Sequence, residues 1–320
     1  MKIDIEVLKK LEKSIDTSDP EKGKVPIKIL GYGEISLVFE IVGDPEQIAY
    51  KRIPIFKTEK QVNRHIWAYN EYNRILIQDV GINLPNYDVA WFKDNQDKIQ
   101  FYCVQEKISS ESVGNRVIHD LSTEDIETLI LLVMREMKKV WVYSKNHETI
   151  DIGLDGQISN FAIIGYDPNN PKIEKDTNLV YFDTSTPMFR KNGIEAMDAE
   201  LFLESTPSFL KFLVKAAFLE EVVDRYYDWR LVTIDLIANF FKEQRPELIP
   251  GIIRQVNKFF KEEASEFNME LITFEEVQKY YKNDKMIWVI FQNARKIDRF
   301  IKTKLFKKKY DFYLPGKIKR

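Results

Sequence analysis

The stretch Leu154-Asp155-Gly156-Gln157-Ile158-Ser159-Asn160, followed by the apolar run Phe161-Ala162-Ile163-Ile164, decides how the rest of the chain is read. Asp, Gly, Ser and Asn are ordinary turn formers, because their side chains bond nearby backbone or tolerate left-handed geometry, so a plain loop is one reading. The other is chemical. An acid and an amide five positions apart, just before a strand, can orient or deprotonate a hydroxyl and hold magnesium on nucleotide phosphates. A second acid favours the chemical reading: Leu179-Val180-Tyr181-Phe182-Asp183-Thr184 is a short apolar strand ending on a carboxylate. Asn160 and Asp183 are therefore the candidate metal ligands and Asp155 the candidate base.

Working outward, a strand-rich part precedes this loop and a helical part follows it. Residues 3 to 15 have helical apolar spacing. Ile27, Ile29, Leu37, Phe39 and Ile41 flank Gly31-Tyr32-Gly33 as a hairpin, and Gln47 to Ile55 supplies a third strand carrying Lys51. Residues 58 to 78 are expected as a helix capped by Thr58 and stopped by Gly81. Tyr87 to Phe92 and Ile99 to Ile108 are two more strands. Beyond Ser109-Ser110 helices are expected over Ser122 to Ser144 and, past Asp183, near 198–204, 208–226, 228–243, 250–266, 273–282 and 284–305. The division expected is an N-terminal helical extension over 1–24, a nucleotide-binding lobe over 25–108 and a helical lobe over 109–320.

That order resembles the protein-kinase-like fold, an α+β architecture of two lobes. Gly31-Tyr32-Gly33-Glu34-Ile35-Ser36-Leu37-Val38 is similar to the glycine-rich loop, with Ser36 in the third glycine place. Ala49-Tyr50-Lys51 resembles the A-x-K of the third strand, and Glu71 stands where the family's helix supplies a carboxylate to that lysine. Val104 to Ile108 resembles the hinge in position, so backbone groups at Glu106 and Ile108 would meet the adenine edge. Asp155 and Asn160 match D-x-x-x-x-N, and Asp183 the metal-binding aspartate.

There are four departures: Gly153 in place of the loop histidine, Gln157 in place of a lysine, Thr184 in place of the glycine after the metal aspartate, and no Ala-Pro-Glu afterwards. The last three are milder for the aminoglycoside phosphotransferase and choline kinase branch, which keeps the two aspartates and the asparagine while varying their neighbours, so the resemblance is closer there. It implies ATP and magnesium as cofactors and a small-molecule hydroxyl as acceptor. Two rivals stand beside this: a nucleotide-binding pseudokinase, and an RNA- or protein-directed kinase.

Composition narrows the remaining classes. With 44% hydrophobic residues in 320, the chain can bury a sizeable core and form two lobes. The single cysteine, Cys103, excludes an internal disulfide and, with His65, His119 and His147 far apart, argues against a zinc site. A cytoplasmic setting is expected, with no membrane span. The formal charge is −2, yet residues 302–320 carry eight basic side chains against Asp311, a local +7 that leaves −9 elsewhere. Phe306, Tyr310, Phe312 and Tyr313 interleave those lysines as RNA-binding segments do, although a packed tail is the preferred expectation. Between helices, Arg225 to Arg230 is expected as an internal ion pair packed by aromatics.

Overall fold

The computed structural model describes residues 1–33, 35–207 and 223–314. Its N-terminal part is a five-stranded antiparallel sheet of β1 (Ile27–Tyr32), β2 (Leu37–Ile41), β3 (Ile48–Arg52), β4 (Tyr87–Lys93) and β5 (Ile99–Glu106), in the order β1-β2-β3-β5-β4. Between β3 and β4 runs α2 (Glu59–Arg74). Thr58 and Gln61 close its first turn with a reciprocal capping box, and a π-helical turn, Ile75–Val80, ends at Gly81 in left-handed geometry, φ 79°.

Side chains alternate between the two faces of the sheet. One face takes Phe39, Ile48, Tyr50, Tyr102 and Val104 and is covered by Leu8, Leu11 and Ile15 of α1 (Ile5–Ser14) and its C-cap. Asp4 starts α1 by accepting from the amides of Glu6 and Val7. At the centre of this layer Glu12 and Arg52 form an ion pair at 2.6 Å, both side chains 3% exposed. Tyr102 donates to Glu12, and Arg52 also reaches Gln100 and the carbonyl of Asp311. The opposite face is the cleft side. One row of cross-strand partners, Gly31, Val38, Lys51, Cys103 and Val89, runs across all five strands there.

The helical part packs around α4 (Thr123–Lys145), which Ser122 caps through the amide of Asp125. Against it lie α5 (Trp229–Lys242) and α6 (Ile249–Glu262), with Trp141 and Trp229 stacked at 5.6 Å. A short helix α3 (Gly114–Val117) precedes α4. Small strands β6 (Ile150–Ile152), β7 (Phe161–Ile163), β8 (Leu179–Tyr181), β9 (Phe189–Lys191) and β10 (Ile194–Glu195) pair as β10-β9-β6 and β7-β8.

Several expectations change. Residues 273–282 and 284–305 are one helix, α7 (Phe274–Phe300), followed by a π turn at Ile301–Leu305, because Asn283-Asp284 contains neither proline nor glycine to break it. The third strand ends at Arg52, before Pro54, which lacks an amide to continue the ladder. Residues 198–204 form a 3₁₀ segment, Ala199–Ser205. Most of the expected helix 208–226 lies outside the described residues, as do Glu34 of the glycine-rich loop and the tail residues Lys317, Lys319 and Arg320. Within the tail, Tyr310, Phe312 and Leu314 are buried against Phe56, Phe101 and Val62, which withdraws two of the aromatics that would stack bases. Among the described residues no helix is long and apolar enough to cross a membrane.

Candidate functional site

The chain brings Asp155, Asn160 and Asp183 together by backbone pairing. The β7-β8 ladder matches Phe161 with Tyr181, and one rung further the Phe182 amide donates to the Asn160 carbonyl at 3.1 Å. The acid after Phe182 therefore stands beside the loop amide. Asn160 Nδ2 donates to the Asp155 carbonyl at 3.1 Å, while its Oδ1 accepts nothing from the described residues and is free for a cation.

Two glycines let the loop sit where it does. A Cβ on Gly156 would lie 2.6 Å from Val232 Cγ1, so only glycine lets the loop lie flat on α5. A Cβ on Gly153 would stand 2.8 Å from the Tyr226 carbonyl oxygen, so the histidine of the family pattern has no room here. The loop is tied down from α2 instead, where Tyr72 Oη donates to the Gly153 carbonyl at 2.9 Å.

Across the cleft, Lys51 Nζ donates to Asp183 Oδ1 at 2.6 Å, and Ser185 Oγ adds a second bond at 3.2 Å. Burial pushes the Asp183 carboxyl up, but the Lys51 charge and hydrogen bond, with that of Ser185, hold it below its ordinary value. Gln105 fixes the same loop from β5 by donating to the Phe182 carbonyl at 2.8 Å.

Glu71 corrects one expectation: it pairs with Arg74 at 2.9 Å, and not with Lys51. The reason is helical phase. The buried side of α2 carries Val62, His65, Ala68, Tyr69, Tyr72 and Asn73, and Glu71, one residue before Tyr72, is turned about 100° away from that tyrosine. The inward positions hold aromatic hydroxyls, so Lys51 finds its carboxylate in Asp183.

The other expected residues lie on the strands around Lys51 and the turn joining two of them, or at and just past the end of β5. Val38 is the cross-strand neighbour of Lys51 and Gly31 that of Val38, Ala49 is on the same face two residues before Lys51, and the Gly33 amide closes the turn on the Ser36 carbonyl at 3.0 Å. Glu106 is exposed at the end of β5, its amide bonded to the Asn86 carbonyl and its carboxylate to Asn86 Nδ2. The Ile108 amide has no partner among the described residues. Cys103 lies behind Lys51, buried, with its thiol pushed up to about 12 by burial.

Sequence reasoning missed Asp235. It is a lone carboxylate in the apolar run Val232 to Ile237 of α5, and that isolation was the available signal. Gln157 bridges the two acids: its amide donates to Asp155 at 3.2 Å and its side chain to Asp235 at 3.0 Å. Burial, then the charges of Asp235 and Asp183, push the Asp155 carboxyl up to about 7. The native state thus keeps this proton to higher pH than the unfolded chain, whose value is 3.8. The contribution favours folding at acid pH and is lost as pH rises through about 7. In metal-free protein, Asp235→Asn should lower the Asp155 midpoint, read by carboxyl-carbon NMR. An unmoved midpoint would leave the shift to burial and the Asp183 charge.

At the Arg225 cluster, half-buried Arg225 bonds Tyr226 Oη at 2.8 Å and Tyr280 Oη at 3.4 Å, and the ion pair made there is that of Arg230 with Glu276, at 2.7 Å.

A family model described as a family of unknown function, DUF6206, matches residues 10–299. The chain belongs to that family. No curated protein matches this DUF6206 member. Among solved structures it is similar to WaaP in complex with acyl carrier protein, at 11% identity over 81% of this chain and 89% of that one, TM-score 0.35. It is also similar to the GDP complex of wild-type aminoglycoside 2'-phosphotransferase-IIIa, at 11% identity over 83% and 95%, TM-score 0.34. Overlaps this loose do not carry the assignment. The protein-kinase-like fold of this DUF6206 chain rests on its strand order, on the helix between β3 and β4, and on Lys51 meeting Asp183 opposite the Asp155 loop.

Proposed function

We propose that this protein is an ATP- and magnesium-dependent phosphotransferase acting on the hydroxyl of a small-molecule acceptor. The observation that carries the reading is the contact of Lys51 with Asp183 across the cleft, beside a loop that offers Asp155 and a free Asn160 oxygen. Among the described residues no three His, Cys, Asp or Glu side chains converge on one point. The donor set nonetheless suits magnesium, which binds through one or two protein oxygens and completes its shell with water and nucleotide phosphates. Asn160 and Asp183 would hold that ion, and when bound it supplies charge neutralisation at the phosphates.

The chain's own groups do the rest. Lys51 exchanges Asp183 for nucleotide phosphates. Gly31, Gly33, Ser36 and Val38 cover the nucleotide, Ala49 lines its base, and backbone groups at Glu106 and Ile108 meet the base edge. Asp155 accepts the acceptor hydroxyl's proton, a task suited to a carboxyl whose pKa is pushed up to about 7.

A second reading, a nucleotide-binding pseudokinase, is favoured by one observation: Glu71 faces Arg74 and leaves Lys51 without its family partner. Transfer from γ-labelled ATP into a metabolite pool separates the two. Label moving to a small molecule with wild type, and not with Lys51→Met, is the expected result. Bound nucleotide with neither transfer nor hydrolysis would give the pseudokinase reading its place.

A further inference from the structure

Outside the cleft, the face of α7 turned away from the protein body has no counterpart in the chemistry above. Gln292, Ala294, Arg295 and Asp298 form its buried side. On the opposite side Met286, Ile290, Ile297 and Phe300 are 57%, 56%, 55% and 59% exposed. At 100° per residue these four fall within about 80° of one another, a single stripe about 21 Å long, with exposed Asn293 the polar residue between Ile290 and Ile297. Leu305 and Phe306 prolong it past the helix end at 66% and 65% exposure. A soluble monomer rarely leaves an apolar strip of that extent uncovered, and among the described residues nothing covers it.

The charges beside the stripe have one sign. Between residues 282 and 309 the acidic residues are Asp284 and Asp298. Both turn aside, Asp284 toward Lys242 at 3.4 Å and Asp298 to Lys302 at 2.8 Å. Lys282, Lys296, Lys304, Lys307 and Lys308 are exposed. An apolar stripe edged by lysines is the arrangement of a helix that lies in a lipid interface, its aliphatic side chains among the acyl chains and its ammonium groups at the phosphates.

We infer that this face of α7 docks the protein on an anionic phospholipid bilayer. RNA fits less well, because most of the stripe is Met, Ile and Leu, which offer no π face, Phe300 and Phe306 being its aromatics, while Tyr310 and Phe312 are packed inside. A second copy of the chain also fits less well, since two such stripes meeting would set their lysines against each other. The inference stands whether or not the cleft transfers phosphate.

Flotation of the full chain with vesicles tests it. Vesicles of equal parts phosphatidylcholine and phosphatidylglycerol should bind at least about tenfold more tightly than phosphatidylcholine alone, and salt should weaken the binding. Ile290→Glu combined with Ile297→Glu should reduce binding at least about tenfold at an unchanged melting temperature, because both side chains are exposed. Lys304→Ala with Lys307→Ala and Lys308→Ala should weaken it and flatten the salt dependence, which keeps the test alive if the glutamate pair misfolds. Equal binding to both vesicle types, no binding to either, or wild-type binding by these variants would overturn the inference. So would a dimer in sedimentation that Ile290→Glu and Ile297→Glu abolish, or RNA binding that outcompetes the anionic vesicles.

Discussion

Asp155→Asn is expected to lower kcat by roughly 10²- to 10⁴-fold, about 3 to 5.5 kcal/mol of barrier, while ATP affinity stays within about twofold. Asparagine keeps the size of the side chain and an acceptor for the Gln157 amide, so packing and loop shape are preserved and only the proton acceptor is lost. Asp155 has no contact with Lys51, whose partner is Asp183. The effect should therefore appear in turnover, as the loss of an interaction made mainly in the transition state. Slow ATP hydrolysis without acceptor can serve as the assay. An unchanged kcat, or a parallel loss of ATP affinity, would remove Asp155 from the role of base.

Glu12→Ala should be the most damaging of the single substitutions distant from the cleft, at about 3 to 5 kcal/mol, because it leaves the Arg52 guanidinium buried without its carboxylate. Arg52 would also lose the anchor that aligns it on the Asp311 carbonyl, so α1, β3 and the tail should loosen together. Urea unfolding followed by intrinsic fluorescence reads the cost. The control is Lys9→Ala: its pair with Glu6 is 41% and 71% exposed, and its loss should cost under about 1 kcal/mol. The pH dependence has a definite sign. Burial pushes the Glu12 carboxyl up, but Arg52 and Tyr102 hold it below the unfolded value of 4.5. Its stabilisation is therefore present above pH 4.5 and lost as pH falls through the lowered value. Equal losses in the two variants would mean that the buried cluster is dispensable.

The backbone of this account was legible in the sequence wherever local signals agreed. Thr58 with Gln61, Ser122 with Asp125, and the β-branched runs around Lys51 each fix an element through neighbours only a few residues away. The meeting of Asp183 with Asn160 was legible for a similar reason, since two short apolar runs each ending or beginning on a polar residue pair as β7 and β8.

What failed was side-chain phase and long-range partnership. Spacing put Glu71 at the right distance from Lys51, yet spacing does not fix rotation about the helix axis, and the tyrosines took the inward side. Gly153 read as a missing histidine, and only the Tyr226 carbonyl beside it explains why no side chain fits. Asp235 acts through Gln157, 78 residues away in sequence, and no local pattern announces such a pair. The α7 stripe was hidden because a Met-Ile-Trp-Val-Ile-Phe run reads as core until its surroundings are known.

The most direct test of the central claim is calorimetric titration of ATP into the full chain, with and without magnesium, for wild type and Asp183→Asn. The account predicts saturable binding that magnesium strengthens, and a magnesium effect that disappears with Asp183→Asn because the substitution removes the carboxylate that Lys51 now occupies. No saturable binding at millimolar ATP, or binding that Asp183→Asn leaves equally magnesium-dependent, would contradict it.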